Sequence, residues 1–101
     1  MDVPLEFEDE QIVAFNDIKP AAPAHVLIVP KKHLSSANDL TGETALLVGR
    51  MIVTAKDIAR KKGIYKKGYR LVLNCGEDGG QAVGHIHIHL IGGRKLAWPP
   101  G

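Results

Sequence analysis

The spacing of apolar residues between positions 41 and 62 predicts the longest element of the chain, an α-helix. Apolar side chains recur there at intervals of four, four and three residues, which places them on one helix face. They are Leu47, Met51, Ala55 and Ile58. Thr41 precedes this pattern as a predicted N-cap residue, and Gly63, directly after two lysines, is a typical stop signal.

Short apolar runs bounded by turn residues predict strands on both sides of this helix. Two such runs, at 11–15 and 25–30, come before it, and two more, at 69–75 and around 85–90, come after it. The segment 19–23 contains two prolines and the segment 76–84 is rich in glycine, so both are predicted to be loops. The order strand, strand, helix, strand, strand predicts an α+β domain in which an antiparallel sheet carries the helix on one face.

Polar and apolar residues alternate strictly near the end of the chain. The polar set is His85, His87 and His89, which includes three of the five histidines, and the apolar set is Ile86, Ile88 and Leu90. Alternate side chains of a strand point to opposite faces, so the apolar set is expected under the helix and the histidines on the other sheet face. Sheets favour β-branched and aromatic residues, so a row of histidines indicates chemistry rather than packing.

A metal site is one explanation of the histidine row, because zinc accepts three histidine ligands. Successive histidines on one strand face are about 7 Å apart and the outer two about 13 Å. Two neighbours can share an ion with bonds of roughly 2 Å, whereas the third cannot reach it without distortion. The sequence shows no further cysteine or carboxylate motif at ligand spacing, so no metal ion is predicted.

Nucleophilic catalysis at a phosphate is the other explanation. A neutral imidazole is a competent nucleophile, and positive neighbours oppose its protonation and stabilise phosphate oxygens. His87 is flanked by the other two histidines and is therefore the natural nucleophile. The glycine-rich loop before it could bring backbone N–H groups close to a phosphate.

Size and charge exclude several classes of protein. With 101 residues the chain is expected to be one domain, residues 1–101, and a net charge of +2 does not favour nucleic-acid binding. No segment approaches the ~20 apolar residues of a membrane span, and the acidic N-terminus does not resemble a signal peptide. The single cysteine, Cys75, fits a reducing compartment, so a cytoplasmic location is expected.

The stretch 85–91 has the form His, apolar, His, apolar, His, apolar, apolar, and it resembles the signature of the histidine triad (HIT) superfamily. The segments 14–33 and 68–94 and the terminal Trp-Pro-Pro-Gly resemble the histidine triad nucleotide-binding (HINT) branch. This resemblance implies a five-stranded antiparallel sheet and a homodimer that joins two sheets into one of ten strands. It also implies purine nucleotide binding and hydrolysis of adenosine 5′-phosphoramidates to AMP and an amine, without a cofactor.

The resemblance also implies roles for individual residues. His87 matches the nucleophile that forms a nucleotidyl-histidine, His89 matches the histidine that contacts the α-phosphate, and His85 and His25 match supporting histidines. The implied nucleotide-binding residues are Phe15 and Ile18 at the base, Asp17 at the ribose hydroxyls, Asn74, Gly80, Gln81, Ala82 and Val83 at the ribose and phosphate, and Trp98 in a tail that reaches the partner subunit's site.

Some of these residues also have simpler structural explanations. Asp17 could merely shape the turn that follows it, and Phe15 could be an ordinary core residue. His25 could be an incidental residue at the start of a strand. His33, beside two lysines, is expected to be only a surface residue.

The chain departs from the HINT pattern in two places. Serine is usual at the position of Ala82, where its hydroxyl assists the departing amine, so turnover or substrate preference could differ. The Cys-x-x-Cys-like pair that many members carry near the N-terminus is absent from this sequence, so no structural zinc is expected. Two alternatives therefore stay open: a dinucleoside polyphosphate hydrolase, and a nucleotide-binding or partner-docking protein with weak activity.

Overall fold

Five strands and one long helix make up the computed structural model, which describes residues 3–101. The strands are β1 (Leu5–Glu8), β2 (Ile12–Asn16), β3 (Ala24–Pro30), β4 (Tyr69–Val72) and β5 (Ile88–Gly92); a short 3-10 helix (Ala37–Asp39) precedes the helix α1 (Ala45–Lys61). The strands form one sheet in the order β1-β2-β3-β5-β4, with every neighbouring pair antiparallel. The predicted α+β class, with a five-stranded antiparallel sheet and one long helix, is confirmed.

The apolar core lies between α1 and one face of the sheet. Its residues come from the inward stripe of α1 and from alternate positions of the strands. The most deeply buried are Ile12, Ala14, Val26, Ile28, Met51, Ala55, Ile58, Ala59, Ile88 and Leu90. Because strand side chains alternate, this burial leaves the odd-numbered positions of β3 and β5 on the opposite face, which carries the histidines.

The helix begins later than its apolar pattern predicts. Its first residue is Ala45 and its N-cap is Thr44, so the predicted cap at Thr41 is wrong. The hydroxyl of Thr44 accepts a hydrogen bond from the Thr41 N–H at 2.9 Å, and the Thr44 N–H donates to the Thr41 carbonyl at 3.1 Å. These bonds make a separate turn before the helix. Within residues 3–101, no helix has both the length and the apolar character needed to cross a bilayer.

The first strand, β1, does not show in the apolar pattern. It is a four-residue edge strand with two acidic residues, and its apolar side chains remain partly exposed, Leu5 at 47% and Phe7 at 36%. Asp9 closes the turn into β2, since one carboxylate oxygen accepts hydrogen bonds from the Gln11 and Ile12 N–H groups, each at 2.8 Å. Short exposed strands lack the half-buried alternation that makes a strand visible in a sequence.

The histidine segment is only partly a strand. β5 begins at Ile88, so His85 and His87 lie before the sheet ladder. Ile86 is nevertheless fully buried, and its N–H donates to the Leu34 carbonyl at 2.7 Å. The alternation of burial therefore continues through residues 85–87, although they lie outside the sheet and Ile86 is bonded to a residue that follows β3.

Candidate active site

The site is built on a row of side chains that crosses the sheet on the face away from α1. Phe15 of β2 is opposite Leu27 of β3, Leu27 is opposite His89 of β5, and His89 is opposite Val72 of β4. Residues directly opposite in antiparallel strands share a face. The register therefore places a histidine in the middle of an apolar, half-buried strip, where a planar base could lie. Leu27 is a member of this strip that the sequence analysis did not predict.

A hydrogen-bonded chain of groups leads from the loop before β3 to His89. The Ala21 N–H donates to Nδ1 of His25 at 3.0 Å. Nε2 of His25 lies 2.9 Å from Nδ1 of His89 and 3.5 Å from Oδ2 of Asp17. His25 is buried, so its suggested explanation as an incidental surface residue is wrong.

These contacts fix the protons on the two rings. Nδ1 of His25 accepts from a backbone N–H, so the ring proton of neutral His25 is on Nε2. That proton is donated to Nδ1 of His89, which leaves the proton of neutral His89 on its own Nε2. His89 therefore offers an N–H donor on the side of its ring away from His25.

His87 has the opposite arrangement. Its Nδ1 is 2.7 Å from the carbonyl oxygen of His85, and a carbonyl can only accept, so the proton is on Nδ1. Nε2 of neutral His87 then carries a free lone pair. The rings of His87 and His89 are 4.9 Å apart between centroids. A nucleophilic nitrogen and a hydrogen-bond donor thus stand side by side.

The side chain of His85 has two hydrogen-bond partners, one of which was not predicted. Its Nε2 donates to the Pro30 carbonyl at 2.8 Å, and its Nδ1 lies 3.0 Å from Nδ1 of His33. Because Nδ1 of His85 has no proton of its own, His33 must be the donor. His33 is exposed, as expected, but it is also a member of the histidine cluster. Only its position three residues after the end of β3, beside residue 85, reveals this.

Burial lowers the pKa of His89 below the usual histidine value, with nearby His87 and His25 acting in the same direction and Asp17 in the other. The neutral form is also the one that its hydrogen bond from His25 requires. Protonation would place a second proton on Nδ1, facing the proton on Nε2 of His25. His89 is therefore held as a neutral donor.

A pH effect on stability follows from this lowered pKa. In the unfolded chain, His89 becomes protonated below about pH 6.5, whereas in the folded protein its pKa is lower and protonation requires a lower pH. The contribution of His89 to stability is therefore fully present above about pH 6.5 and is lost as the pH falls below that value. We expect the urea midpoint to decrease more between about pH 7 and about pH 5.5 in the wild type than in His89→Gln. An equal decrease in both proteins would contradict this assignment.

The loop 76–84 is held mainly by Gln81. Its side-chain amide donates to the Ser35 carbonyl at 2.6 Å and to the Val83 carbonyl at 3.0 Å, and its Oε1 accepts from the Gly76 N–H at 2.9 Å. The N–H groups of Gly80 and Gln81 also donate within the loop. Gln81 therefore orders the loop with its side chain, and three N–H groups expected to face a phosphate are already bonded.

The remaining predicted nucleotide contacts divide into two groups. Asn74 is half-buried and lines a groove of about 490 Å³ together with Val72, Ile91 and several residues of the tail, which are Leu96, Ala97, Pro99, Pro100 and Gly101. The other predicted residues are exposed: Ile18 (83%), Trp98 (81%), Val83, Gly80 and Ala82. The Asp17 carboxylate does shape the turn that follows it, since its Oδ1 accepts a hydrogen bond from the Lys19 N–H at 2.8 Å, and its Oδ2 lies 3.5 Å from Nε2 of His25.

One cluster has the composition of a metal site. Ligand atoms of Asp17, His25 and His89 all lie within 4.8 Å of one another. The proton on Nε2 of His25 argues against coordination, because that nitrogen could bind a metal only by giving up its proton. Moving the proton to Nδ1 would break the bond from Ala21. The geometry favours a hydrogen-bond relay over a metal centre.

The similarity to known proteins extends over almost the whole chain. The family model of the HIT domain matches residues 5–96. A HIT-like protein of Synechococcus elongatus is 47% identical over 97 residues, which are 96% of this chain and 84% of the relative. A HIT family hydrolase from Legionella pneumophila has a TM-score of 0.97 at 46% identity, covering 100% of this chain and 90% of that chain. A histidine triad protein from Clostridium difficile has a TM-score of 0.92 at 41% identity, covering 96% and 84%.

Proposed function

Because this chain belongs to the HIT domain family, we propose that it is a nucleoside phosphoramidase acting through a nucleotidyl-histidine on His87. Its substrates would be purine nucleoside 5′-phosphoramidates, which it would cleave to a nucleoside monophosphate and an amine. The observation that carries the proposal is the opposite protonation of two adjacent rings: His87 offers a lone pair and His89 an N–H donor. Similarity to HIT family hydrolases supports a hydrolase-like role.

The first chemical step would be attack of Nε2 of His87 on the α-phosphorus. A bond forms between that nitrogen and phosphorus, the P–N bond to the leaving amine breaks, and the amine nitrogen takes a proton from solvent. The His85 carbonyl accepts the Nδ1–H bond and stabilises the positive charge that develops on the ring. Water then attacks the nucleotidyl-histidine, which releases the monophosphate, returns neutral His87 and gives a proton to solvent.

His89 would stabilise the phosphate oxygens during both steps. Its Nε2–H points away from His25 and can donate to a non-bridging oxygen of the α-phosphate. The donor would be neutral at physiological pH, because the pKa of His89 is lowered. A preorganised donor of this kind typically contributes about 10²- to 10³-fold to turnover.

The nucleoside would lie along the apolar strip of the sheet. Phe15 and Leu27 offer the half-buried surface for a purine, and Oδ2 of Asp17 can accept a hydrogen bond from a ribose hydroxyl. Asn74 lies in the adjoining groove, where it could contact the ribose or phosphate. None of these groups requires a cofactor.

A homodimer would complete this site. β4 is an edge of the sheet, and within residues 3–101 its outer side has no partner strand. Pairing of two such edges would join the sheets into the ten-stranded sheet that the family resemblance implies. The exposed Ile18 and Trp98 are the residues expected to gain contacts in that assembly.

A panel of substrates separates this proposal from its nearest alternative. Adenosine 5′-phosphoramidate and a dinucleoside polyphosphate are offered to the same preparation, and release of AMP is followed by chromatography. The proposal expects the phosphoramidate to have the larger kcat/KM. Preferential cleavage of the polyphosphate would assign the chain to the other substrate class.

Ala82 supports a second candidate function, a nucleotide-binding protein with weak turnover. Its methyl group cannot assist a departing amine as a hydroxyl can. We expect Ala82→Ser to raise kcat for phosphoramidates by about 10- to 150-fold, the range that one hydrogen bond to a developing charge provides. Steady-state assays check this, with Ala45→Ser at the exposed start of α1 as the matched control.

The same experiment decides between the two candidates. Binding of AMP by calorimetry without turnover in either the wild type or Ala82→Ser would support the binding protein. Unchanged turnover in Ala82→Ser beside an active wild type would show that Ala82 is not what limits the reaction.

A further inference from the structure

The residues that follow β5 hold the loop between β2 and β3. Nη2 of Arg94 donates to the Ala21 carbonyl at 2.8 Å, and Nη1 donates to the Lys95 carbonyl at 3.1 Å. Gly93, with φ of +95°, lies against Pro23, and a Cβ placed on it would be 2.9 Å from Cβ of Pro23. Two successive residues thus contact the same loop.

Ala21 is bonded through both of its backbone polar groups. Its carbonyl accepts from Arg94, and its N–H donates to Nδ1 of His25 at 3.0 Å. His25 in turn contacts Nδ1 of His89 at 2.9 Å. A continuous chain of hydrogen bonds therefore runs from the guanidinium of Arg94 to the ring of His89.

We propose that Arg94 is a positioning residue that fixes the tautomer of His25 and, through it, the direction of the His89 donor. The role in catalysis rests on the proposed function, whereas the relay itself does not. If the Ala21 N–H is no longer held against Nδ1, neutral His25 can carry its proton on either nitrogen. With the proton on Nδ1, His25 no longer donates to His89, and the proton of His89 is no longer restricted to Nε2.

Nitrogen NMR of the imidazole rings tests the relay without any substrate. In the wild type, we expect His25 and His89 each to show a protonated Nε2 and an unprotonated Nδ1. In Arg94→Ala, both rings should show averaged shifts from mixed tautomers, and Arg94→Lys, which keeps the charge and one donor, should recover part of the wild-type pattern. Arg60→Ala is the matched control, because the Arg60 guanidinium lies 4.3 Å from the Tyr65 ring and not in the relay.

Kinetics then separate positioning from substrate binding. We expect Arg94→Ala to lower kcat for the phosphoramidate by about tenfold with KM within about twofold, as a misaligned catalytic group does. Unchanged tautomers in Arg94→Ala, or an effect on KM alone, would overturn the proposal. If the wild type cleaves no phosphoramidate, the proposed function fails, and the NMR comparison still decides whether Arg94 sets the tautomer.

Discussion

Replacement of His87 with asparagine is expected to lower kcat/KM for adenosine 5′-phosphoramidate by about 10⁴-fold or more, because it removes the attacking nitrogen. Asparagine keeps an N–H at about the reach of Nδ1, so the bond to the His85 carbonyl can persist. What is lost is the lone pair on Nε2. A coupled assay for the released AMP measures the effect.

Two measurements show that the loss is chemical rather than structural. The free energy of unfolding of His87→Asn in urea should stay within about 1 kcal/mol of the wild-type value, and calorimetry should still detect AMP binding. Turnover within tenfold of the wild type would mean that His87 is not the nucleophile. If His87→Asn lost both folding and AMP binding, its loss of turnover could come from disruption of the structure. His87→Gln therefore serves as a second variant.

Replacement of Leu90 with alanine is expected to reduce the free energy of unfolding by about 2–5 kcal/mol. Leu90 is 0% exposed and lies in β5 between Val26 of β3 and Leu71 of β4. Truncation would open a cavity in the core beneath α1, which the surrounding strands cannot fully close. Such a loss is a large part of the roughly 5–15 kcal/mol by which a typical domain is stable.

Urea denaturation followed by circular dichroism measures this effect, and Leu46→Ala is the matched control. Leu46 is also a leucine but is 77% exposed on α1, so the same truncation should change stability by less than about 0.5 kcal/mol. Similar losses of stability in the two variants would show that the core does not lie between the sheet and α1.

The apolar pattern predicted the helix and four of the five strands because burial has a simple period. Spacings of four and three in α1 and of two around Leu90 correspond to the two faces that meet in the core. The same period predicted which face carries the histidines. The elements that escaped prediction, β1 and the turn before Ala45, are short and exposed, and hydrogen bonds such as those of Asp9 and Thr44 define them instead.

The histidine row predicted the chemistry of the site but not the hydrogen bonds that connect its residues. Which nitrogen carries a proton depends on backbone groups far away in sequence, such as the Ala21 N–H and the Pro30 carbonyl. His33 and Arg94 likewise join the site through partners 52 and 73 residues away. Sheet topology brings together residues that are this far apart in sequence, and no local sequence pattern reveals such contacts.

Mass spectrometry of a single turnover tests the central claim most directly. Excess protein is mixed with adenosine 5′-phosphoramidate, quenched and digested, and the peptide that contains residues 85–90 is sequenced. We expect a transient gain of one adenylyl group on His87 in the wild type and none in His87→Asn. Release of AMP without any adenylated peptide, or an adduct on another residue, would contradict the account.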